Sequence, residues 1–204
     1  MRLFVAVRPP APVLDHLDLA LRVVQAHEAL TADPADVRWT LEENRHVTAA
    51  FYGTLPDGRT DELVAALEDG VRAIPPFELR LRGAGVFAHR TLWVGVAGDL
   101  GSMRRLSAMA GAAGEEVGAR PDDRVRSRPH LTVGRVGAPT PAGRGRRRRD
   151  RPTDDPAASL VRALAVYDGP EWTVEELLLV ASAPGAGRGG GPLYTPVQAF
   201  ALGA

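Results

Sequence analysis

Two tripeptides of one form, His46-Val47-Thr48 and His130-Leu131-Thr132, hold the residues of this chain best suited to moving protons. Apolar residues and a glycine, Gly53 or Gly134, follow each copy. Residues two apart on an extended strand point the same way, so each tripeptide sets an imidazole beside a hydroxyl. Histidine titrates near neutrality and can give or take a proton there. A hydroxyl next to it can donate to an anionic oxygen. Two such pairs facing one another across a cleft offer an acid, a base and anion contacts, a set that suits phosphodiester chemistry without a metal. Five histidines and eleven threonines among 204 residues would give only ~0.3 such tripeptides by random placement.

The elements that must position these pairs follow from the apolar pattern. Arg2 to Val7 reads as a strand ended by Arg8-Pro9-Pro10, too early for a signal peptide. From Pro12 to Leu30, Val13, Leu14, Leu17, Leu21 and Val24 recur at helical steps. Val37 to Thr40 is a short strand, and Arg45 to Tyr52 is the first motif strand. Thr60 is placed to cap a helix reaching Ile74, and Phe77 to Leu81 alternates as a half-buried strand. Thr91 to Val96 is another strand, Leu100 to Val117 a long helix, and His130 to Val136 the second motif strand. Gly137 to Pro156 holds almost nothing apolar and is expected to be a mobile loop. Ala157 to Leu164 reads as a short helix, then Ala163–Tyr167, Val174–Ala181 and Tyr194–Leu202 as strands. Gly185 to Gly191 precedes a strand and lacks the lysine and Ser/Thr of a nucleotide loop, so it reads as a hairpin turn. The order predicts an α+β fold: one unit over residues 1–204, with two sheet-and-helix lobes related by approximate internal duplication and a cleft where the motifs meet.

Composition excludes some chemistry. With no cysteine there are no disulfides and no thiolate nucleophile, in keeping with a cytoplasmic protein. No apolar run nears the roughly 20 residues that span a bilayer. The net charge is zero, yet every basic residue is arginine, and residues 120–151 hold eleven Arg against three Asp. That asymmetry permits a polyanionic partner on one side of the molecule. Arg135, three residues past Thr132, is placed to add a charge-assisted bond to phosphate, but an ideal strand turns it away from His130; a bulge or a strand end is required. Arg126 and Arg128, just before the second motif, are better placed than the run Arg144 to Arg149 to meet a phosphate of such a partner. Arg38, Trp39, Phe51 and Tyr52 are candidates to border the groove, where a ring can stack on a base. Core packing is the competing reading of these four.

The order of these segments also resembles a known family. Arg2-Leu3-Phe4-Val5-Ala6-Val7, Val37-Arg38-Trp39-Thr40, Asn44-Arg45-His46-Val47-Thr48 and Phe51-Tyr52-Gly53 look like the start of the two-histidine (HxTx) phosphoesterases. Leu92-Trp93-Val94-Gly95-Val96, Arg128-Pro129-His130-Leu131-Thr132-Val133-Gly134-Arg135 and Gly191-Pro192-Leu193-Tyr194-Thr195-Pro196 extend the likeness over essentially the whole chain. It is most similar to the RNA 2',3'-cyclic phosphodiesterases, also called 2'-5' RNA ligases. The resemblance implies a bilobal, pseudo-two-fold fold of antiparallel sheets with flanking helices and a central groove. It implies cofactor-free, metal-independent opening of a terminal 2',3'-cyclic phosphate on RNA to a 2'-phosphate. His46 would be the proton donor to the leaving 3'-oxygen, His130 the proton acceptor, and Thr48 and Thr132 the phosphate contacts. In reverse, the same site would join a cyclic end to a 5'-hydroxyl. RNA ends, such as those of tRNA halves, would be the partners of a monomer needing no membrane and no obligate protein partner. The chain departs from the pattern at Ala49-Ala50, in the glycine-rich turn after Ser182 and in the arginine run Arg144 to Arg149.

Rival readings remain at this level. One is a cyclic phosphodiesterase of a small nucleotide such as ADP-ribose 1'',2''-cyclic phosphate; another is an RNA-binding relative without catalysis. The histidines could also be packing residues or zinc ligands, although His16, His27 and His89 are scattered and zinc wants three or four ligands. His16 and His27 are expected to be solvated on their helix. The run Arg144 to Arg149 reads as an RNA-backbone clamp or, more simply, as a solvated charged loop.

Overall fold

The structure is a computed structural model and describes residues 2–30, 36–56, 58–119, 128–137 and 156–204. The expected arginine-rich loop, Arg126 and the run Arg144 to Arg149 lie outside those residues.

Helix α1 (Ala11–Ala29) buries Val13, Leu14, Leu17, Leu21 and Val24, the residues whose spacing predicts it. Helix α2 (Thr60–Val71) buries Leu63, Leu67 and Val71. Thr60 is its first helical residue rather than its cap: Arg59 holds that position with no side-chain bond. Helix α3 (Leu100–Glu116) buries Met103, Leu106, Ala110 and Ala113, and Asp99 caps it by accepting the Ser102 N–H at 2.9 Å. Helix α4 (Pro156–Leu164) buries Ala157, Leu160 and Leu164. The strand expected over Ala163–Tyr167 is absent, because the four-residue step from Leu160 to Leu164 carries the helix through and a turn follows.

The strands are β1 (Arg2–Val7), β2 (Val37–Trp39), β3 (Val47–Thr54), β4 (Phe77–Phe87), β5 (Thr91–Gly98), β6 (His130–Val136), β7 (Asp168–Val174), β8 (Glu176–Ala183) and β9 (Leu193–Ala201). They form one antiparallel sheet in the order β7-β4-β5-β6-β3-β1-β8-β9, with β2 paired beside β6. Strand β7 departs from the expected order, since Gly169-Pro170 reads as a break. Both β7 and β9 are edge strands, where Pro170 and Pro196 need not donate to a second neighbour.

The sheet divides into two four-stranded lobes, β3-β1-β8-β9 and β7-β4-β5-β6. They do not coincide with the halves of the chain: β8 and β9 return to the lobe that holds β1. Helices α2 and α3 pack together, with α3 on β3 and α2 on β9, whereas α1 and α4 pack on the other lobe. One face of the sheet is thus covered by helices and the other is open. Leu3, Val5 and Val7 of β1 point into the helix-covered core, and Phe4 and Ala6 point to the open face. Among the described residues no helix is long and apolar enough to cross a membrane.

Candidate active site

The lobes join through a single residue pair of the β3–β6 ladder, Val47 opposite Leu131. These are the middle residues of the two tripeptides, and both are fully buried on the helix side. Alternation therefore sends His46, Thr48, His130 and Thr132 to the open face. Since the strands are antiparallel, His46 lies on the Thr132 side of the pair and Thr48 on the His130 side.

Each histidine is held in the same way. The His46 Nδ1–H donates to the Asn44 carbonyl at 2.9 Å, and the His130 Nδ1–H donates to the Arg128 carbonyl at 2.9 Å. A carbonyl oxygen only accepts, so each contact fixes the proton on Nδ1 and leaves Nε2 as the working atom. Aromatic rings back both. Phe4 lies 4.8 Å from the His46 ring and Tyr194 meets it edge-on at 5.2 Å. Phe87 meets His130 edge-on at 4.8 Å, with Trp93 at 6.0 Å.

The electrostatics differ. The pKa of His46 is lowered to about 4, chiefly by burial, with the charges of His130 and Arg8 adding to it against the Asn44 contact. The free protein thus holds His46 neutral at pH 7.

Arg135 reaches the open face through a bulge. The β5–β6 register passes from Trp93 opposite Thr132 to Leu92 opposite Gly134, so Val133 is an extra residue. Arg135 then stands opposite Thr91, on the face that Trp93 shares with His130. Its cation is near enough to oppose the burial that raises the Tyr194 phenol. Arg128 supplies its carbonyl to His130 while its side chain is exposed. Arg126 lies outside the described residues.

Phe51 and Tyr52 part company. Phe51 stands opposite Phe4, packs in the open-face cluster and lies under the Arg2 guanidinium at 5.5 Å. Tyr52 is not a groove residue. It is buried against α3, its hydroxyl donates to the Ala110 carbonyl at 3.0 Å, and a Cβ at Gly114 would strike its ring. Trp39 likewise packs on the core. His16 is exposed on α1, as expected, and its Nδ1 contacts the Tyr167 hydroxyl at 3.1 Å.

Four supporting features were not legible in the sequence. Arg45, buried beside His46, forms an ion pair with Asp18 of α1 at 2.7 Å and donates through Nε to the Thr40 carbonyl at 3.3 Å. The Asp18 contact is close but off the N–H axis, so it is an ion pair rather than a directed hydrogen bond. Asn44 donates through Nδ2 to the Pro192 carbonyl at 3.3 Å, tying the first motif to the β8–β9 hairpin. Phe4 and Tyr194 wall His46, and Phe87 and Trp93 flank His130. Only an arginine and an asparagine before the first motif hinted at this support, and their partners are remote in sequence. Among the described residues no group of three or more His, Asp or Glu is placed to hold a metal ion.

The fold defines the class first. A crystal structure of the Thermus thermophilus protein TT0787 superposes with a TM-score of 0.68 at 25% identity, covering 100% of this chain and 99% of that one. Escherichia coli LigT, crystallised with NADP+, shares the fold at a TM-score of 0.67 and 23% identity, covering 100% and 98%. The chain belongs to the 2'-5' RNA ligase superfamily, whose family model matches residues 18–185. It is similar to the RNA 2',3'-cyclic phosphodiesterase of Methanothermobacter thermautotrophicus, with 31% identity over 209 residues, 99% of each chain.

Proposed function

We propose that this protein is a hydrolase that opens the terminal 2',3'-cyclic phosphate of RNA to a 2'-phosphate, without a metal, by paired histidine acid–base catalysis. One observation carries the reading: two imidazoles, each locked through Nδ1 onto the carbonyl two residues upstream, flank the Val47–Leu131 pair, and among the described residues neither Nε2 has a hydrogen-bond partner. The RNA 2',3'-cyclic phosphodiesterases among its relatives support the substrate class.

Water attacks phosphorus as its proton passes to Nε2 of His130. The bond to the 3'-oxygen breaks as Nε2 of His46 delivers a proton to it, leaving a 3'-hydroxyl and a 2'-phosphate. Thr48 and Thr132 donate to the non-bridging oxygens, where charge gathers. Solvent then resets both rings. His46 begins neutral. A bound cyclic phosphate brings a negative charge that offsets Arg8 and raises the pKa of His46, so substrate binding loads the donor. With the 5'-hydroxyl of a second RNA in place of water, the same steps form a 2'-5' linkage. The protein acts as a cytoplasmic monomer, one bilobal unit holding a complete site.

The test is an oligonucleotide ending in a 2',3'-cyclic phosphate, incubated with the protein in EDTA. The 2'-phosphate product is expected, and His46→Ala and His130→Ala each abolish it while remaining folded. Activity that vanishes in EDTA and returns with zinc overturns the mechanism.

A further inference from the structure

We infer a second anion subsite, formed by Arg38 and Arg135, that takes the internucleotide phosphodiester next to the cyclic phosphate and makes an RNA chain end the preferred ligand over a lone cyclic nucleotide. This rests on the function proposed above and adds the feature that selects substrate length.

The β2–β6 register sets Arg38 directly opposite Arg135. Opposite residues share a face, and the flanking Val37 and Trp39 pack on the core, so both arginines stand on the open face with the histidines. Like charges opposed across a ladder repel. On β4 the arginines are neutralised: Arg80 meets Asp168 at 3.2 Å and Glu171 at 2.8 Å, and Arg82 shares Asp168. Among the described residues neither Arg38 nor Arg135 forms an ion pair. Glu43 faces Arg188 at 3.8 Å, and the Asp36 carboxylate lies against Gly137. An uncompensated arginine pair at the end of a phosphate site is explained by a second phosphate.

The pair is also held in place. Arg38 Nη2 donates to the Gly189 carbonyl at 2.7 Å, at the tip of the β8–β9 hairpin. A Cβ at Gly191 would come within 3.3 Å of that nitrogen, so the bare glycines of the turn let the guanidinium seat there. One of its five donors is used; the rest remain for a ligand. Thr132 stands opposite Trp93 and Arg135 opposite Thr91, a two-residue step of about 7 Å along the sheet, so the arginines lie beyond the reacting phosphorus rather than on it. The glycine-rich turn that sets this chain apart thereby has a use.

The experiment compares adenosine 2'-phosphate with the dinucleotide ApA 2'-phosphate by calorimetry, and turnover of the matching 2',3'-cyclic forms, in the wild type, Arg38→Gln and Arg38→Lys. The wild type is expected to bind the dinucleotide about tenfold tighter, as one charge-assisted contact allows. Arg38→Gln should lose most of that advantage, with the salt slope for the dinucleotide falling by about 0.7. Arg38→Lys should keep the slope and recover part of the affinity. Equal affinity for the two ligands in the wild type, or an advantage that survives Arg38→Gln, overturns the subsite. Better turnover of ADP-ribose 1'',2''-cyclic phosphate than of the dinucleotide overturns its assignment to RNA. A dinucleotide preference in binding without any turnover sinks the catalytic reading alone. Failure to bind either ligand sinks both.

Discussion

The first motif and the second put an identical device into different surroundings. Each histidine donates from Nδ1 to the carbonyl two residues upstream at 2.9 Å. Around His46 that contact is partly sheltered, the ring is walled by Phe4 and Tyr194, and burial lowers its pKa to about 4. Around His130 the contact is exposed. The support upstream differs as well. Arg45, buried and paired with Asp18, precedes His46, and Pro129 precedes His130. A duplicated motif thus fixes ring orientation twice, while the partners brought in by the rest of the chain set solvation and stability separately on each side.

The comparison breaks most sharply at the rings themselves. His46→Ala and His130→Ala should each lower kcat by at least about 10³-fold, and the double variant should be little worse than either. Single-turnover assays measure this. Additive losses would mean that the two rings do not act in one step.

Removing the support should separate the lobes. Arg45→Met leaves Asp18 without its partner and should lower unfolding free energy by about 3 kcal/mol in urea titrations. Pro129→Ala, with no buried pair to break, should lower it by less than about 1 kcal/mol.

The solvation difference has a pH signature. The folded pKa of His46, about 4, lies below the unfolded 6.5, so the unfolded chain binds the extra proton between these values. Stability should therefore fall as pH drops from about 6.5 to about 4, by about 2 kcal/mol more in the wild type than in His46→Gln. Saturating inorganic phosphate should raise the His46 titration midpoint seen by NMR. A midpoint that phosphate leaves unmoved would remove the donor role.

The smallest effect concerns Tyr52. Tyr52→Phe loses the bond to the Ala110 carbonyl and about 1 kcal/mol of stability, with kcat/KM unchanged. A change in kcat/KM would return Tyr52 to the groove.

Much of the scaffold was legible because helices α1 and α2 bury leucines and valines at three- and four-residue steps, and the start of β4 alternates. The departures have local causes. Strand β7 was hidden by Gly169-Pro170, which a sheet edge tolerates. Phe51 and Tyr52 could not be told apart, because β3 carries two register shifts against β1 that reset which residues face the core. Arg135 hung on a bulge at Val133 that no spacing rule predicts.

The sequence by itself determined that each histidine stands beside a threonine, because strand alternation needs nothing beyond neighbouring residues. It also determined the apolar faces that hold the helices against the sheet. Only the tertiary structure decided that the two tripeptides meet at Val47 and Leu131, that Tyr194 from the last strand closes over His46, and that Arg38 stands opposite Arg135. Those are contacts between segments remote along the chain, and they depend on the packing of every element between them.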